Sequence, residues 1–285
     1  MRYQFMRWPE GRSKALTLSY DDGAAADKRL AETLNRYGIK CTFNLLSSRV
    51  EMEEGLTKEF IRNEILGKGH EIATHGAYHR GLDVARPIEG IRDTLDCRLE
   101  LEKAFGIIVR GMAFPDRTVN KAKVPEAYAR IRPFLEELEI AYARTTGGDN
   151  DSFGLPEDFL NWVPTAQHKN PKLMEYIDSF LNLDLSAGKC YCSARGPRLF
   201  YLWGHAFEFE NNKNWDLLER ICERFAGRED IYYATNMEIY EYVTAYRSLI
   251  HSADNAIVYN PTLKTLWFDR DGKEYKIAPG ETLHI

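Results

Sequence analysis

Residues Ala15 to Gly23 read Ala-Leu-Thr-Leu-Ser-Tyr-Asp-Asp-Gly. Leu16, Leu18 and Tyr20 alternate with Thr17 and Ser19, the two-residue period of a strand. The strand ends in two adjacent carboxylates and a glycine. Neighbouring strand residues point to opposite faces, so Asp21 and Asp22 have different surroundings unless the chain turns. Gly23 allows that turn. Two like charges at one strand end are costly without something positive between them, and a divalent metal would remove the cost. A strand cap followed by an Asp-Gly turn is the other reading of the same residues.

Outward from this stretch, strand and helix periods alternate. Helices are expected at Asp27–Tyr37, Thr57–Gly67, Pro87–Phe105, Pro125–Leu138, Leu173–Leu185, Trp215–Phe225 and Met237–Ile250. Gly38 ends the first, Pro87 opens the third, and Pro133 kinks or breaks the fourth. Strands are expected at Lys40–Leu46, Glu71–Thr74, Ile107–Ala113, Ile140–Arg144, Phe159–Val163, Arg198–Trp203 and Ile231–Ala234, with Thr145–Pro156 a loop. Such alternation predicts parallel βαβ units, seven or eight of them, in a closed or nearly closed α/β barrel. Barrels of this kind carry chemistry at the C-terminal strand ends, where Asp21 and Asp22 fall. From Asn255 the pattern changes to short β runs with turns at Asp271-Gly272 and Pro279-Gly280. The chain is therefore divided into a barrel unit, 1–252, and a small β appendage, 253–285.

The chain has 285 residues, 44% of them hydrophobic and 28% charged, enough to bury a large core without disulfides. A net charge of -5 and the lack of a Lys/Arg run exclude a nucleic-acid binder. No apolar run approaches the roughly 18 residues of a membrane helix. Met1 to Lys14 carries basic residues without a hydrophobic core segment, so no secretory signal is read there and a cytoplasmic location is expected. Five cysteines, an odd number without framework spacing, point to reduced thiols. The pair Cys190-Tyr-Cys192 is weak evidence for metal.

The second informative stretch is Gly69-His-Glu-Ile-Ala-Thr-His-Gly-Ala-Tyr-His79. His75 and His79 are four apart, which would put both imidazoles on one side of a helical turn, able to share a cation. With Asp22 they supply two nitrogens and one oxygen, a recurrent open set for a catalytic metal. His70 reads as a strand-start histidine bonded to backbone.

These stretches resemble signatures of the polysaccharide deacetylases, the NodB-like proteins of carbohydrate esterase family four. Thr17-Leu-Ser-Tyr-Asp-Asp-Gly is similar to the family's Thr-Phe-Asp-Asp-Gly. Tyr37-Gly-Ile-Lys-Cys-Thr-Phe-Asn looks like its second strand. Gly69 to His79 looks like its metal motif, and Leu202-Trp-Gly-His205 like its late Leu-x-His motif. The matches keep the family's order from about Ala15 to His205. The resemblance implies a distorted (β/α)₇ barrel in which Asp21 is the base, Asp22, His75 and His79 hold the metal, and His205 is the acid. It implies a divalent cation, Zn²⁺ before Co²⁺, Ni²⁺ or Mn²⁺, and no organic cofactor.

Three departures stand out. Ala113 occupies the position of the family arginine that steadies the base, and Arg110, Arg117 and Arg144 are the candidates to replace it. Gly76 stands where a serine or threonine usually follows the first metal histidine. The aspartate–tryptophan motif is unclear, with Trp162 either aromatic wall or core, and Asp149 or Asp151 the candidate carboxylate.

The expected function is metal-dependent hydrolysis of an acetyl group from an N- or O-acetylated sugar. The metal would polarise the carbonyl and acidify a bound water, Asp21 would take that water's proton, and His205 would protonate the leaving group. The alternatives are an allantoinase-like amidohydrolase of small molecules on the same fold, and a catalytically dead carbohydrate-binding protein. The expected partner is thus an acetylated carbohydrate or a small amide, with neither nucleic acid nor membrane.

Overall fold

The computed structural model describes residues 3–82, 86–116, 119–185 and 195–285. After β1 (Gln4–Arg7) come the strands of one sheet: β2 (Lys14–Asp22), β3 (Thr42–Leu45), β4 (Glu71–Thr74), β5 (Gly111–Ala113), β6 (Tyr142–Arg144), β7 (Ala166–Gln167), β8 (Arg198–Gly204) and β9 (Ile231–Tyr233). Seven run in the order β6-β5-β4-β3-β2-β8-β7, and β9 also pairs with β2. Every pairing is parallel. Residues Lys14, Ala15 and Leu16 of β2 pair with both β8 and β9, whereas Ser19 to Asp22 pair with β3. The curled sheet with helices between its strands is the distorted (β/α)₇ barrel expected from the sequence.

The alternation in β2 sorts side chains between two buried layers rather than between core and solvent. Leu16, Leu18 and Tyr20 pack with Leu30, Leu34, Phe209 and Ile221 in the apolar layer beneath the helices. Thr17, Ser19 and Asp21 are equally buried but meet polar partners in the interior. Thr17 donates to Asn236 Oδ1 at 2.8 Å, and Asn44 Nδ2 donates to Ser19 Oγ at 2.7 Å and Asp21 Oδ1 at 2.8 Å. A strand buried on both faces is what a parallel barrel demands.

The helices Asp27–Tyr37, Pro87–Phe105 and Trp215–Phe225 have the expected bounds, and Pro125–Glu137 accommodates Pro133. The segment read as one helix from Thr57 is an α turn (Lys58–Phe60), a π turn (Ile61–Ile65) and a 3₁₀ turn (Leu66–Lys68). The helix from Leu173 ends at Leu181, and the last one is Asn236–Arg247. Phe159–Val163 is not a strand. Asp158 accepts from the Leu160 N–H and winds Phe159–Asn161 into a 3₁₀ turn, leaving a single bridge between Trp162 and Arg144. Trp162 packs edge-on against Tyr142, Phe159 and Tyr201 and is 1% exposed, so it belongs to the core. The strand of this region is β7, which the sequence reading missed, together with β1 and the short helix Ala206–Asn211.

The chain ends in β10 (Ile250–His251), β11 (Ile257–Tyr259), β12 (Leu266–Arg270), β13 (Lys273–Ile277) and β14 (Thr282–His284). They form two antiparallel sheets, β10-β11-β14 and β1-β12-β13. Met6 of β1 and Trp8, just after it, share one apolar cluster with Leu266, Phe268, Ile277 and Tyr242. Among the described residues, no helix is long and apolar enough to cross a membrane, and Cys41, Cys97 and Cys222 are buried free thiols. Cys190 and Cys192 lie outside the described residues.

Candidate metal and acid–base site

Strands β2, β4, β6 and β8 end on the same rim and deliver the site. Asp22 closes β2 with φ +84°, a left-handed conformation that turns its carboxylate away from the path of Asp21. Its Oδ1 lies 3.6 Å from His75 Nε2 and 3.8 Å from His79 Nε2. The three ligand atoms of Asp22, His75 and His79 all fall within 4.8 Å of one another. Among the described residues, no donor reaches the buried Asp22 Oδ1. Arg49 lies on the other side, 3.7 Å from Asp22 Oδ2, and donates to the Asp22 carbonyl at 3.3 Å.

His75 follows β4 directly. Its Nδ1 is 2.9 Å from the Ala113 carbonyl, so Nδ1 carries the proton and Nε2 faces the carboxylates with its lone pair. Burial lowers its pKa against the pull of Asp21 and Asp22, which favours the neutral imidazole a cation needs. An orphaned carboxylate oxygen facing two imidazole nitrogens, one held as a free lone pair, fits a divalent cation.

The His75–His79 spacing meets the expectation by a different route. Residues 75–79 form a bend rather than a helical turn. Asp93, from the helix Pro87–Phe105, reaches into the bend: its Oδ1 accepts from the Tyr78 N–H at 2.9 Å and its Oδ2 from the Arg80 N–H at 3.2 Å. A Cβ at position 76 would lie 2.3 Å from Asp93 Oδ2, and the backbone there has φ +84°. Gly76 is therefore required, and Asp93 supplies the ordering that a hydroxyl at position 76 could have given. Asp93 was missed because its signal is a carboxylate on the buried face of a helix distant in sequence.

Asp21 is 1% exposed. Its Oδ2 accepts from Arg144, and its Oδ1 from Asn44. Burial alone would raise its pKa, but Arg144, with His75, His205 and Asn44, outweighs burial and holds it below the ordinary carboxylate value. Arg144 ends β6 directly opposite Ala113 of β5 in the strand register. The guanidinium missing at Ala113 thus enters from the neighbouring strand. Its outer face lies on Trp203, 4.2 Å from the ring. Arg110 donates instead to the Glu139 carbonyl, and Arg117 lies outside the described residues.

His205 follows β8, and its Nε2 is 3.8 Å from Asp21 Oδ2. Its Nδ1 is 3.5 Å from Glu208 Oε1, one helical turn on. Burial works against a charged imidazole here, but Glu208 and Asp21 outweigh it and raise the His205 pKa. Glu208 itself is gripped by Lys169 at 2.5 Å and His168 at 3.3 Å. Burial would raise the Glu208 pKa, yet the hydrogen bonds from His205 and Lys169 pull it down to about 2. His168, pushed down to about 4 by burial, lies where a Cβ of residue 204 would stand, which explains Gly204. The carboxylate beside His205 is therefore Glu208. Asp149, one of the two candidates, bonds elsewhere, to Asn170 and Tyr176, and Asp151 is exposed. His70 plays the backbone role read for it: its Nδ1 accepts from the Cys41 N–H at 3.0 Å.

Two carboxylates, three imidazoles and a guanidinium thus meet at one barrel rim. Residues 9–130 match the family model described as Polysaccharide deacetylase. That match agrees with the motif resemblance over this part of the chain, which holds Asp21, Asp22, His75 and His79 but not Arg144 or His205. No curated protein matches the chain. Among solved structures it is similar to a Puue allantoinase at 15% identity, covering 82% of this chain and 91% of that one with a TM-score of 0.60. It is also similar to a "probable polysaccharide deacetylase" from Pseudomonas aeruginosa PAO1, at 14% identity, 82% and 92% coverage and a TM-score of 0.55. A third is the Xyl-CE4 domain of a multidomain xylanase from the hindgut metagenome of Trinervitermes trinervoides, at 18%, 81% and 92%, and 0.51. At these identities the likeness is one of fold.

Proposed function

We propose that the protein is a metal-dependent hydrolase that removes acetyl groups from an acetylated sugar. The reading rests on one observation: the ligand atoms of Asp22, His75 and His79 converge at a rim where Asp21 and His205 flank them. Those three residues would hold the cation, with Zn²⁺ the expected metal. When bound, a divalent cation supplies Lewis acidity toward the acyl oxygen and lowers the pKa of water. In the net reaction a C–O bond forms between water and the acyl carbon, and the bond from that carbon to the sugar nitrogen or oxygen breaks. Asp21, kept ionised by Arg144, accepts the proton that water gives up. His205, kept charged by Glu208, donates a proton to the departing nitrogen or oxygen. Acetate and a free amine or hydroxyl result. Arg144 and Glu208 are positioning residues that act through Asp21 and His205.

The test pairs metal analysis with an acetate-release screen on chitooligosaccharides, acetylxylan and allantoin. The expected result is one divalent metal per chain, lost in His79→Ala, and acetate from an acetylated sugar. His205→Ala should cost orders of magnitude on an N-acetyl sugar and far less on a nitrophenyl acetate, whose leaving group hardly needs a proton. Turnover of allantoin with no acetate from any sugar would replace this reading by the small-amide one.

A further inference from the structure

Beside His205 the rim opens into a cleft of about 310 Å³, at the small end for ligand sites. One wall is the loop after β6, through Thr146, Gly147 and Gly148, and the other is the end of β7 and the segment after it, through Gln167 and Lys169. Trp203 lines it where it meets the catalytic centre, its ring 5.8 Å from that of His205. Lys169 and Gln167 contact Glu208, the carboxylate on the acid histidine. A group protonated by His205 therefore departs next to this cleft.

The two walls are tied together. Asp149 Oδ2, on the first, accepts from Asn170 Nδ2 at 2.7 Å on the second, and from the Tyr176 hydroxyl at 2.8 Å just beyond it. Asp149 and Asn170 both line the cleft. This clasp spans from one wall of the cleft to the other and fixes the distance between them. The lining is otherwise polar, with an amide, an ammonium and one aromatic ring, which suits a single hydroxylated ring.

We infer that the cleft receives the leaving group as one terminal or free sugar ring, so that the enzyme acts on short acetylated saccharides and not along the interior of a chain. The inference rests on the proposed deacetylase reading. It makes Asp149 a specificity-determining residue that touches neither the metal ligands nor the acid–base pair.

The experiment measures kcat/KM for acetate release from N-acetylglucosamine and its dimer to pentamer, in wild type and Asp149→Ala, both loaded with metal. Calorimetry on the same proteins measures binding of glucosamine and its pentamer. The expected wild-type kcat/KM is flat or falling with length, and both sugars bind within about threefold of each other. Asp149→Ala should raise the pentamer-to-monomer ratio at least tenfold, with Tyr176→Phe giving a smaller rise. A wild-type kcat/KM that climbs tenfold or more with length overturns the inference and leaves the deacetylase reading standing. Failure of glucosamine to bind also overturns it. No acetate from any sugar, with glucosamine still bound at the cleft and that binding weakened by Trp203→Ala, supports the cleft and defeats the deacetylase reading.

Discussion

Asp21 and Glu71 are both buried carboxyls inside one barrel, the first at the C-terminal end of β2 and the second at the N-terminal end of β4, and their pKa values move in opposite directions. Burial pushes both upward. At the rim, Arg144 reverses the effect for Asp21. At the floor, Glu71 accepts from Tyr142 at 2.6 Å, Thr42 at 2.8 Å and the Met237 N–H at 2.9 Å, yet burial prevails and its pKa rises to about 7. Neutral donors do less for Glu71 than a guanidinium, two imidazoles and an amide together do for Asp21. The two ends are joined by hydrogen bonds from Glu71 through Thr42, Asn236 and Tyr201 to Ser19, and on through Asn44 to Asp21. The same interior thus holds a charged end suited to chemistry and an end poised near neutrality.

The strongest way to break the contrast is to remove the guanidinium. Arg144→Met leaves Asp21 buried without its guanidinium partner. Loss of one partner of a buried pair costs roughly 3–5 kcal/mol. Denaturant unfolding at pH 7 should show a loss of that size, together with a collapse of turnover. Arg144→Lys keeps the charge but not the fork and should fall between the two. A variant as stable and active as wild type would mean that Asp21 does not depend on Arg144.

Next in size is Asp21→Asn, which removes the charge but keeps the shape. Loss of a general base costs about 10²–10⁴ in rate. The metal content should not change, because the proposed ligands are Asp22, His75 and His79. Asp22→Asn should lose the metal as well. Parallel metal loss in both variants would erase the division of labour between the two aspartates.

How much of this was legible in the sequence differs between the two halves of the site. The candidates Asp21, Asp22, His75, His79 and His205, which the structure brings to one rim, were readable because each sits in a short local pattern at the end of an apolar run. Arg144, Asp93 and Glu208 were not. Arg144 reaches Asp21 because β5 and β6 pair in a register that sets it opposite Ala113, and strand register between separate βα units is not written in either strand alone. It was one of three candidates, and only the pairing chooses among them. Asp93 acts from a helix that reads as simply amphipathic. Glu208 was within reach: it is three residues after His205, but the helix Ala206–Asn211 was not read, so the spacing carried no meaning. The barrel came from the alternation of periods, while the Phe159–Val163 error came from an apolar run too short to separate a strand from a turn. Likewise β1 was overlooked, because its partner β12 lies at the far end of the chain.

At the floor, Glu71→Gln should act through pH. The folded-state pKa of Glu71, about 7, lies above its ordinary value of 4.5. The folded state therefore binds more protons between these values, and the stability due to the neutral carboxyl is full below pH 4.5 and lost as pH rises to about 7. The charged form costs roughly 3 kcal/mol. Glu71→Gln should match wild type near pH 4.5 and exceed it above pH 7 by up to that amount. Asp21 behaves oppositely, its contribution being lost only as pH falls below its ordinary 3.8. Urea midpoints across pH 4 to 8 would show the effect, and parallel curves for the two proteins would mean that Glu71 does not titrate in this range.

The smallest expected effect sharpens the same point. Tyr142→Phe removes one neutral donor from Glu71 and nothing from Asp21. A buried hydrogen bond of this kind is worth about 1 kcal/mol net. The tyrosine stabilises the charged carboxylate, so its loss should raise the Glu71 pKa further and extend the fall of stability with pH beyond 7. Near pH 5, where Glu71 is already neutral, the cost should be least. Turnover should stay within about twofold, because Asn44 and Arg144 still hold Asp21 in place. The measurement is a pair of profiles on one variant, unfolding free energy and kcat against pH. A shift in the first without the second would show that floor and rim are connected by hydrogen bonds yet titrate independently. A tenfold fall in kcat would instead make the interior network part of the catalytic apparatus and remove the distinction between the two carboxyls.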